Sequence, residues 1–414
     1  MRVLFVNHFP LTGSGSGVYT ANLAKSLKRK GHEVAIIFPE NRKEYEHYDG
    51  IKLFPVYFKN EETIEGVDQA DFNFPCFTSH PRSKKGFIDL TDEEKQIYED
   101  KFSRKIKEVI DDFKPDVVHA QHVWVLAGIS ARCCKEAGLP LVITCHGTDL
   151  LNIAGELDRG VYWGRKFVDE AVEYAYQIVT ISRSNDSEMK RLVPKAVEKA
   201  DLIINGVDTS VFYPDPSIKK EDVLKELGIK KDYRQVVSFV GRMTAMKRVN
   251  ILLQAAKIYE RDDIVTLLAG DGDLRDELEQ MAKDLELENV YFLGNQPHEM
   301  VRKIYNIAEC SLIQSKKEPF GLVALEALAC GTPVIASNQG GLIDFVTSDK
   351  GILFEVDDYE ELADDVMKLL NKEVTFDGVE IAKEIREKYS QDVIIGKFEE
   401  LYEQSILSMQ KTRV

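Results

Sequence analysis

The sequence predicts an α/β protein built from two doubly wound parallel-sheet domains. Short runs rich in Val, Ile, Leu and Phe alternate with helical stretches along most of the chain, as parallel strands joined by crossover helices require. The alternation pauses once, at Ile203-Ile204-Asn205-Gly206-Val207-Asp208 and the proline-marked Tyr213-Pro214-Asp215-Pro216, then begins again. The 414 residues are enough for two or three domains. We therefore expect an N-terminal domain over 1–200 and a C-terminal domain over 201–389, with a hinge near 195–215.

The totals exclude several classes. Apolar residues make up 44% and charged residues 30%, the proportions of a soluble globular chain. A net charge of −16 argues against nucleic acid as the main partner. No apolar run approaches the roughly 18 residues of a membrane span. Met1–Asn7 is too short for a secretory signal and reads as a first strand. Cys76, Cys133, Cys134, Cys145, Cys310 and Cys330 include no Cys-x-x-Cys pair and read as reduced thiols of a cytoplasmic protein.

Taken in order, Val3–Val6 is a buried strand leading into the glycine loop Thr12–Gly17, with Gly15 and Gly17 available for close approach, and a helix over Val18–Lys30. Strand, glycine loop and helix are the layout of a phosphate or sugar site; a glycine loop alone also describes a flexible turn. The next strand, Glu33–Phe38, ends at Pro39 without the acidic residue of a nicotinamide-dinucleotide site. Residues 40–100 read as irregular, aromatic and charged, a binding loop or lid. Helix Asp92–Phe113 follows, then strand Asp116–His119, helix Gly128–Ala137, strand Leu141–Thr144, helix Gly164–Ala175 and strand Gln177–Ile181. The second half gives strand Val236–Val240 with Gly241-Arg242, helix Val249–Tyr259, and strand Val265–Ala269 with Gly270-Asp271-Gly272. Helix Asp273–Leu285, strand Val290–Leu293, helix Glu299–Ala308 and strand Cys310–Gln314 complete the run. The end, from Tyr359, is helical.

The last strand leads into Glu318-Pro319-Phe320-Gly321-Leu322, with Glu326 beyond. Pro319 suits the first position of a helix, and Gly331 and Pro333 close it before the strand Val334–Ala336. The N–H groups of Phe320, Gly321 and Leu322 would then lack intrahelical acceptors and favour an anion. Glu326 would lie roughly 12 Å further along the axis at about 1.5 Å per residue. Amides for a phosphate flanked by carboxylates for hydroxyls suit a sugar nucleotide; two glutamates so spaced also describe an ordinary amphipathic helix. His119 and His122 sit at one strand end without a third ligand at useful spacing for zinc. Asp271-Gly272-Asp273 has the spacing of a metal-binding pair, but its place at a helix start reads as a turn and cap.

The ordered set Gly13–Gly17, His146-Gly147-Thr148-Asp149, Asn205-Gly206-Val207-Asp208, Gly241-Arg242 with Lys247, Gly270-Asp271-Gly272 and Glu318 with Glu326 resembles glycosyltransferase family 4 (group 1), the retaining GT-B enzymes, over nearly the whole chain. The resemblance implies a GT-B fold, two Rossmann-like domains facing a cleft, with about 390–414 crossing back to the N-terminal domain. It implies that Arg242 and Lys247 grip a donor diphosphate, that Glu318 faces the donor sugar, and that Glu326 takes the ribose hydroxyls. Phe320, Gly321 and Leu322 would supply amides, and Gly294, Asn295 and Gln296 the base edge. Gly15, Gly17 and Gly241 would line the donor, and His146 would stand near the reacting carbon. The chain departs from the family at Arg248, where glycine usually follows the lysine, and at Asp344, where glutamate is common.

The expected activity is transfer of a sugar from a nucleoside diphosphate sugar, a UDP-sugar first, to a hydroxyl acceptor with retention. No cofactor and no essential metal are expected, and peripheral contact with the inner face of the membrane is compatible with the sequence. Two other readings stay open at this point: a GT-B sugar-nucleotide 2-epimerase, and a non-catalytic partner subunit of the same fold.

Overall fold

The computed structural model describes residues 1–60, 63–77, 80–155 and 163–412. The chain divides into two units, Met1–Ile203 with Ile395–Val414, and Ile204–Ile394. Each is built on one sheet in which all pairings between strands are parallel.

The first unit contains β1 (Arg2–Val6), β2 (Glu33–Glu40), β3 (Ile51–Phe58), β4 (Gln69–Ala70), β5 (Val117–Gln121), β6 (Leu141–Cys145), β7 (Gln177–Thr180) and β8 (Ala200–Leu202). Their order is β4-β3-β2-β1-β5-β6-β7-β8. The chain moves outward from β1 to β4, returns to β5 beside β1, and moves outward the other way. Val3 is in register with Val34 on one side and Val117 on the other. Val3–Val6, Val117–Gln121 and Leu141–Cys145 are buried throughout, which is why these strands read as unbroken apolar runs: helices cover both faces.

Two expectations for this unit need correction. The stretch 40–100 is not irregular throughout, since it holds β3 and β4. β3 was obscured by Pro55, which breaks a strand pattern. The short β4 pairs only with Tyr57 and Phe58, so Pro55 has no neighbour on that side to be denied a hydrogen bond. The first helix is Gly15–Arg29, not Val18–Lys30: Ser14 Oγ accepts the Gly17 N–H at 3.1 Å and caps it. Much of the glycine loop is therefore a capped first turn.

The last helix, Gln391–Thr412, contributes to this unit from Ile395 onward. Tyr402 Oη lies 2.7 Å from His119 Nδ1, whose other nitrogen lies 2.7 Å from Thr144 Oγ1. Glu399 pairs with Lys30 and His32 at 2.8 Å each.

The second unit contains β9 (Gln235–Val240), β10 (Ile264–Ala269), β11 (Val290–Gly294), β12 (Cys310–Ile313), β13 (Val334–Ser337) and β14 (Gly351–Phe354). Their order is β11-β10-β9-β12-β13-β14, so the direction reverses between β9 and β12. Val237 and Cys310 are in register across that reversal. β14 was not foreseen; Gly351-Ile352-Leu353-Phe354 is too short to stand out without the β13 register that holds it. Among the described residues no helix is long and apolar enough to cross a membrane.

Candidate active site

Ligands of open parallel sheets bind outside the carboxyl ends of the strands, where the strand order reverses. In the second unit that place lies beyond β9 and β12. The segment after β9 carries Gly241 and Arg242, a short 3-10 turn over Ala245–Lys247, and then Arg248. The segment after β12 carries Gln314, Ser315 and the loop to Gly321. Gln314 Nε2 donates to the Lys247 carbonyl at 2.9 Å, and the Lys316 N–H donates to the Met246 carbonyl at 2.8 Å. These bonds tie the two segments together at the crevice.

That tie sets an ion pair. Lys247 Nζ lies 2.5 Å from Glu318 Oε2, which also accepts from Ser315 Oγ at 3.1 Å. The Glu318 side chain is 10% exposed and that of Lys247 24%, so the pair is poorly solvated and each partner holds the other in place. Arg242 is exposed and, among the described residues, has no carboxylate within ion-pair distance.

The expectation that Pro319 opens the next helix is wrong. The helix is Leu322–Ala329, preceded by Gly321 at φ 101°, a left-handed position that side chains resist. Glu318–Phe320 forms a loop seated on Gly340 and Gly341. The Gly341 N–H donates to the Glu318 carbonyl at 2.9 Å, and the Glu318 N–H donates to Gln339 Oε1 at 3.3 Å. A Cβ on Gly340 would lie 2.1 Å from the Glu318 carbonyl oxygen, and one on Gly341 2.5 Å from Phe320 Cα. The Ala324 and Leu325 N–H groups turn back to the Gly321 carbonyl. Leu322 and Val323, rather than Phe320, therefore hold the first-turn amides without intrahelical acceptors. Phe320 is buried, its ring 5.3 Å from that of Phe345.

Glu326 is half-buried in the middle of this helix, and among the described residues no side chain or amide bonds its carboxyl. Burial pushes its pKa up to about 8, because an ion there loses water without gaining a partner.

Gly241, Gly270 and Gly294 stand at the carboxyl ends of β9, β10 and β11. The Gly241 N–H donates to the Ala269 carbonyl at 3.0 Å and the Gly270 N–H to the Gly294 carbonyl at 2.8 Å. Asn295 is exposed, and Gln296 Nε2 donates to the Leu293 carbonyl at 2.6 Å. Asp271 accepts its neighbour Gly272's N–H at 2.8 Å and faces Arg275 Nη1 at 3.4 Å, contacts of a turn. Among the described residues no group of three His, Cys, Asp or Glu is placed to hold a metal ion.

Arg248 is not an additional charge on the crevice. It pairs with Asp357 through Nε and Nη2 at 2.6 Å each. Its backbone is left-handed at φ 50°, which accounts for glycine being usual here.

In the first unit the order reverses between β1 and β5. His146 follows β6, with Nε2 2.8 Å from Gln121 Oε1. Its ring stands edge-on to Tyr19 at 5.0 Å and tilted against His122 at 4.7 Å. Buried Asp149 accepts the N–H groups of Val123 and Gly147 at 2.8 Å, Leu150 at 3.1 Å and His146 at 3.4 Å, joining the loops after β5 and β6. Burial lowers the pKa of both His8 and His146 to about 3. Gly15 is exposed in the first helical turn, while a Cβ on Gly17 would lie 2.1 Å from the Pro10 carbonyl oxygen.

The structure thus gathers Arg242, Lys247, Glu318, Gly321 and Leu322 at the β9–β12 reversal, with Glu326 deeper on the same helix and Gly294–Gln296 at the end of β11. Gly15, Gly17 and His146 belong to the first unit. Sequence reasoning weighed His122 only as a zinc ligand, and missed Tyr19 and Gln121 beside His146 and His8 beside His122. For His8, Gln121 and His122 the available signal was polar residues at the ends of buried strands, in Asn7-His8 and Gln121-His122; Tyr19, on the first helix, gave none.

Two such sheets, each with its polar crevice, define a GT-B architecture. Residues 13–211 match the model of "Glycosyltransferase Family 4" and residues 219–392 that of "Glycosyl transferases group 1"; the chain belongs to this family of glycosyltransferases. It is 28% identical over 411 residues to an uncharacterized glycosyltransferase of Methanocaldococcus jannaschii, covering 95% of both chains. It is also 28% identical to the N-acetyl-alpha-D-glucosaminyl L-malate synthase of Bacillus anthracis, covering 95% of this chain and 94% of that one. Its fold is that of the sucrose-phosphate synthase of Thermosynechococcus elongatus, with TM-score 0.77, 21% identity and coverage of 99% and 100%. Anabaena HepE, solved in complex with UDP, has TM-score 0.73 at 18% identity, with coverage of 98% and 100%.

Two outcomes follow from the geometry. The folded state holds Glu326 protonated to about pH 8, whereas the unfolded chain ionises near the usual glutamate value of about 4.3. This contribution to stability is complete below the unfolded value and is lost as pH rises through the folded one. Glu326→Gln should therefore gain on the wild type in thermal denaturation between about pH 4.5 and 8; a gap independent of pH contradicts the assignment. For Arg248, glycine relieves the left-handed backbone while alanine does not. Glycine should leave the protein more stable than alanine by about 1 kcal/mol in chemical denaturation; equal stability of the two variants removes the strain account.

Proposed function

We propose that this glycosyltransferase moves a sugar from a nucleoside diphosphate sugar, with a UDP-sugar as donor, to an acceptor hydroxyl with retention of anomeric configuration. The carrying observation is the Lys247–Glu318 pair, with Arg242 on the same segment after β9 and the first-turn amides of Leu322 and Val323 following the Glu318 loop. Two cations and two unengaged N–H groups are a receptor for a diphosphate. UDP and UDP-glucose complexes of the HepE neighbour support the choice of donor.

In this reading the diphosphate draws Lys247 toward itself, and Lys247 and Arg242 stabilise the charge that grows as the bond from the anomeric carbon to the phosphate oxygen breaks. Glu318, released from Lys247, faces the positive charge developing on the sugar. The acceptor oxygen bonds to the anomeric carbon on the face the diphosphate leaves, and its proton passes to the departing phosphate. Glu326 accepts from the ribose hydroxyls, and Gly294–Gln296 meet the base. No metal is required, because Arg242, Lys247 and the helix amides neutralise the diphosphate. A sugar-nucleotide donor and six free buried thiols support a cytoplasmic site of action.

The test is turnover of UDP-glucose, followed by mass spectrometry against a panel of hydroxyl acceptors, with configuration read by NMR. Activity should persist in EDTA and yield the anomer of the donor. Abolition by EDTA with rescue by one divalent ion would overturn the metal-free reading, and an inverted product would overturn retention. Lys247→Ala should lower turnover at saturating donor by about 100-fold or more; near-normal turnover in steady-state kinetics would show that Lys247 does not carry the leaving group's charge.

A further inference from the structure

We propose that Gln121 is the positioning residue for His146: its side-chain carbonyl holds the imidazole as the Nε2–H tautomer, leaving Nδ1 to accept a hydrogen from a sugar hydroxyl. The inference rests on the reading of His146 as part of the active site. Its starting point is that Gln121, the last residue of β5, is fully buried. Its Oε1 lies 2.8 Å from His146 Nε2, while its Nε2 is buried with no partner. Packing alone does not explain such a residue. Leucine or methionine would fill the space without leaving a donor unpaired, which costs on the order of 1–3 kcal/mol.

A carbonyl at that distance selects one state of the ring. A neutral imidazole has a single N–H, and burial keeps the ring neutral. The N–H that meets the carbonyl must be on Nε2, so Nδ1 is left as an acceptor. Rotation is blocked as well, by Tyr19 edge-on to the ring and His122 against it.

The surrounding groups offer the ring no second side-chain bond among the described residues. Tyr19, from the first helix, stays a phenol because burial raises its pKa. His119 and His122, from β5 and the loop after it, are held neutral by burial. Asp149, from the helix after β6, is turned to four backbone N–H groups, including that of His146 itself. Gln121 is therefore the one side chain bonded to the His146 ring among the described residues, and it determines which nitrogen carries the proton.

Nitrogen-15 NMR of the full chain with labelled imidazoles tests this, the His146 signals being identified by their loss in His146→Ala. The wild type should show the Nε2–H tautomer alone from pH 6 to 8. Gln121→Leu should give mixed tautomers, and its turnover of UDP-glucose should fall about tenfold or more. Gln121→Glu, with a carboxylate facing the ring, should raise the pKa of His146 and give turnover a new acid limb. An Nδ1–H tautomer in the wild type overturns the proposal without any variant, and so does a Gln121→Leu protein that keeps both its tautomer and its turnover. His146→Ala separates the two levels: if it turns over UDP-glucose normally, the active-site reading of His146 fails. If only the Gln121 variants are silent, this proposal alone fails.

Discussion

Parallel strands cannot be joined by tight turns, so every crossover must carry the chain back over a face of the sheet. When strands are added first on one side of the starting strand and then on the other, two neighbouring crossovers leave in opposite directions and a crevice opens between them. The rest of each unit depends on that constraint. It places the Asn7–Gly17 and Gln121–Trp124 segments side by side beyond β1 and β5, and Gly241–Arg248 beside Gln314–Gly321 beyond β9 and β12. The apolar strands hold them in place, and the crevice leaves them a free edge.

Within the second crevice the bonding is layered. Backbone and amide bonds from Gln314, Lys316, Gln339 and Gly341 fix the loops. The fixed loops then bring Lys247 to Glu318. Side chains at Gly340 or Gly341 would displace the Glu318 loop before touching the ion pair, so these glycines act on the charges only through the backbone. Asp149 has the same role in the first unit, where one buried carboxylate gathers amides from two loops and sets the backbone from which His146 projects.

The α/β class was legible because strands buried on both faces must be apolar throughout, and Val3–Val6 or Val236–Val240 can hardly be read otherwise. Glycine and polar residues directly after such strands were legible too, since nothing else in the chain places Gly241-Arg242 or His146-Gly147 so regularly. What stayed hidden depends on register or on caps. Pro55 concealed β3 because the sequence does not tell how short β4 would be. Pro319 suggested a helix start that Gly321, by its left-handed backbone, moves to Leu322. The partnerships of Lys247 with Glu318, Arg248 with Asp357, and His146 with Gln121 join residues from different strands or loops. No local pattern encodes them.

The chain carries a net charge of −16, which would repel a dianionic ligand over the range that salt leaves unscreened. The β9–β12 crevice is locally exempt. Glu318 is cancelled by Lys247, Glu326 is uncharged while it stays protonated, and Arg242 is left over. On the proposed reading, a diphosphate would meet Arg242 there rather than a further free carboxylate. On the same reading, ribose hydroxyls that donate to Glu326 would replace its lost water and let the carboxyl ionise. The proton Glu326 holds would then leave with nucleotide uptake, so on that reading the glutamate couples occupancy to proton release.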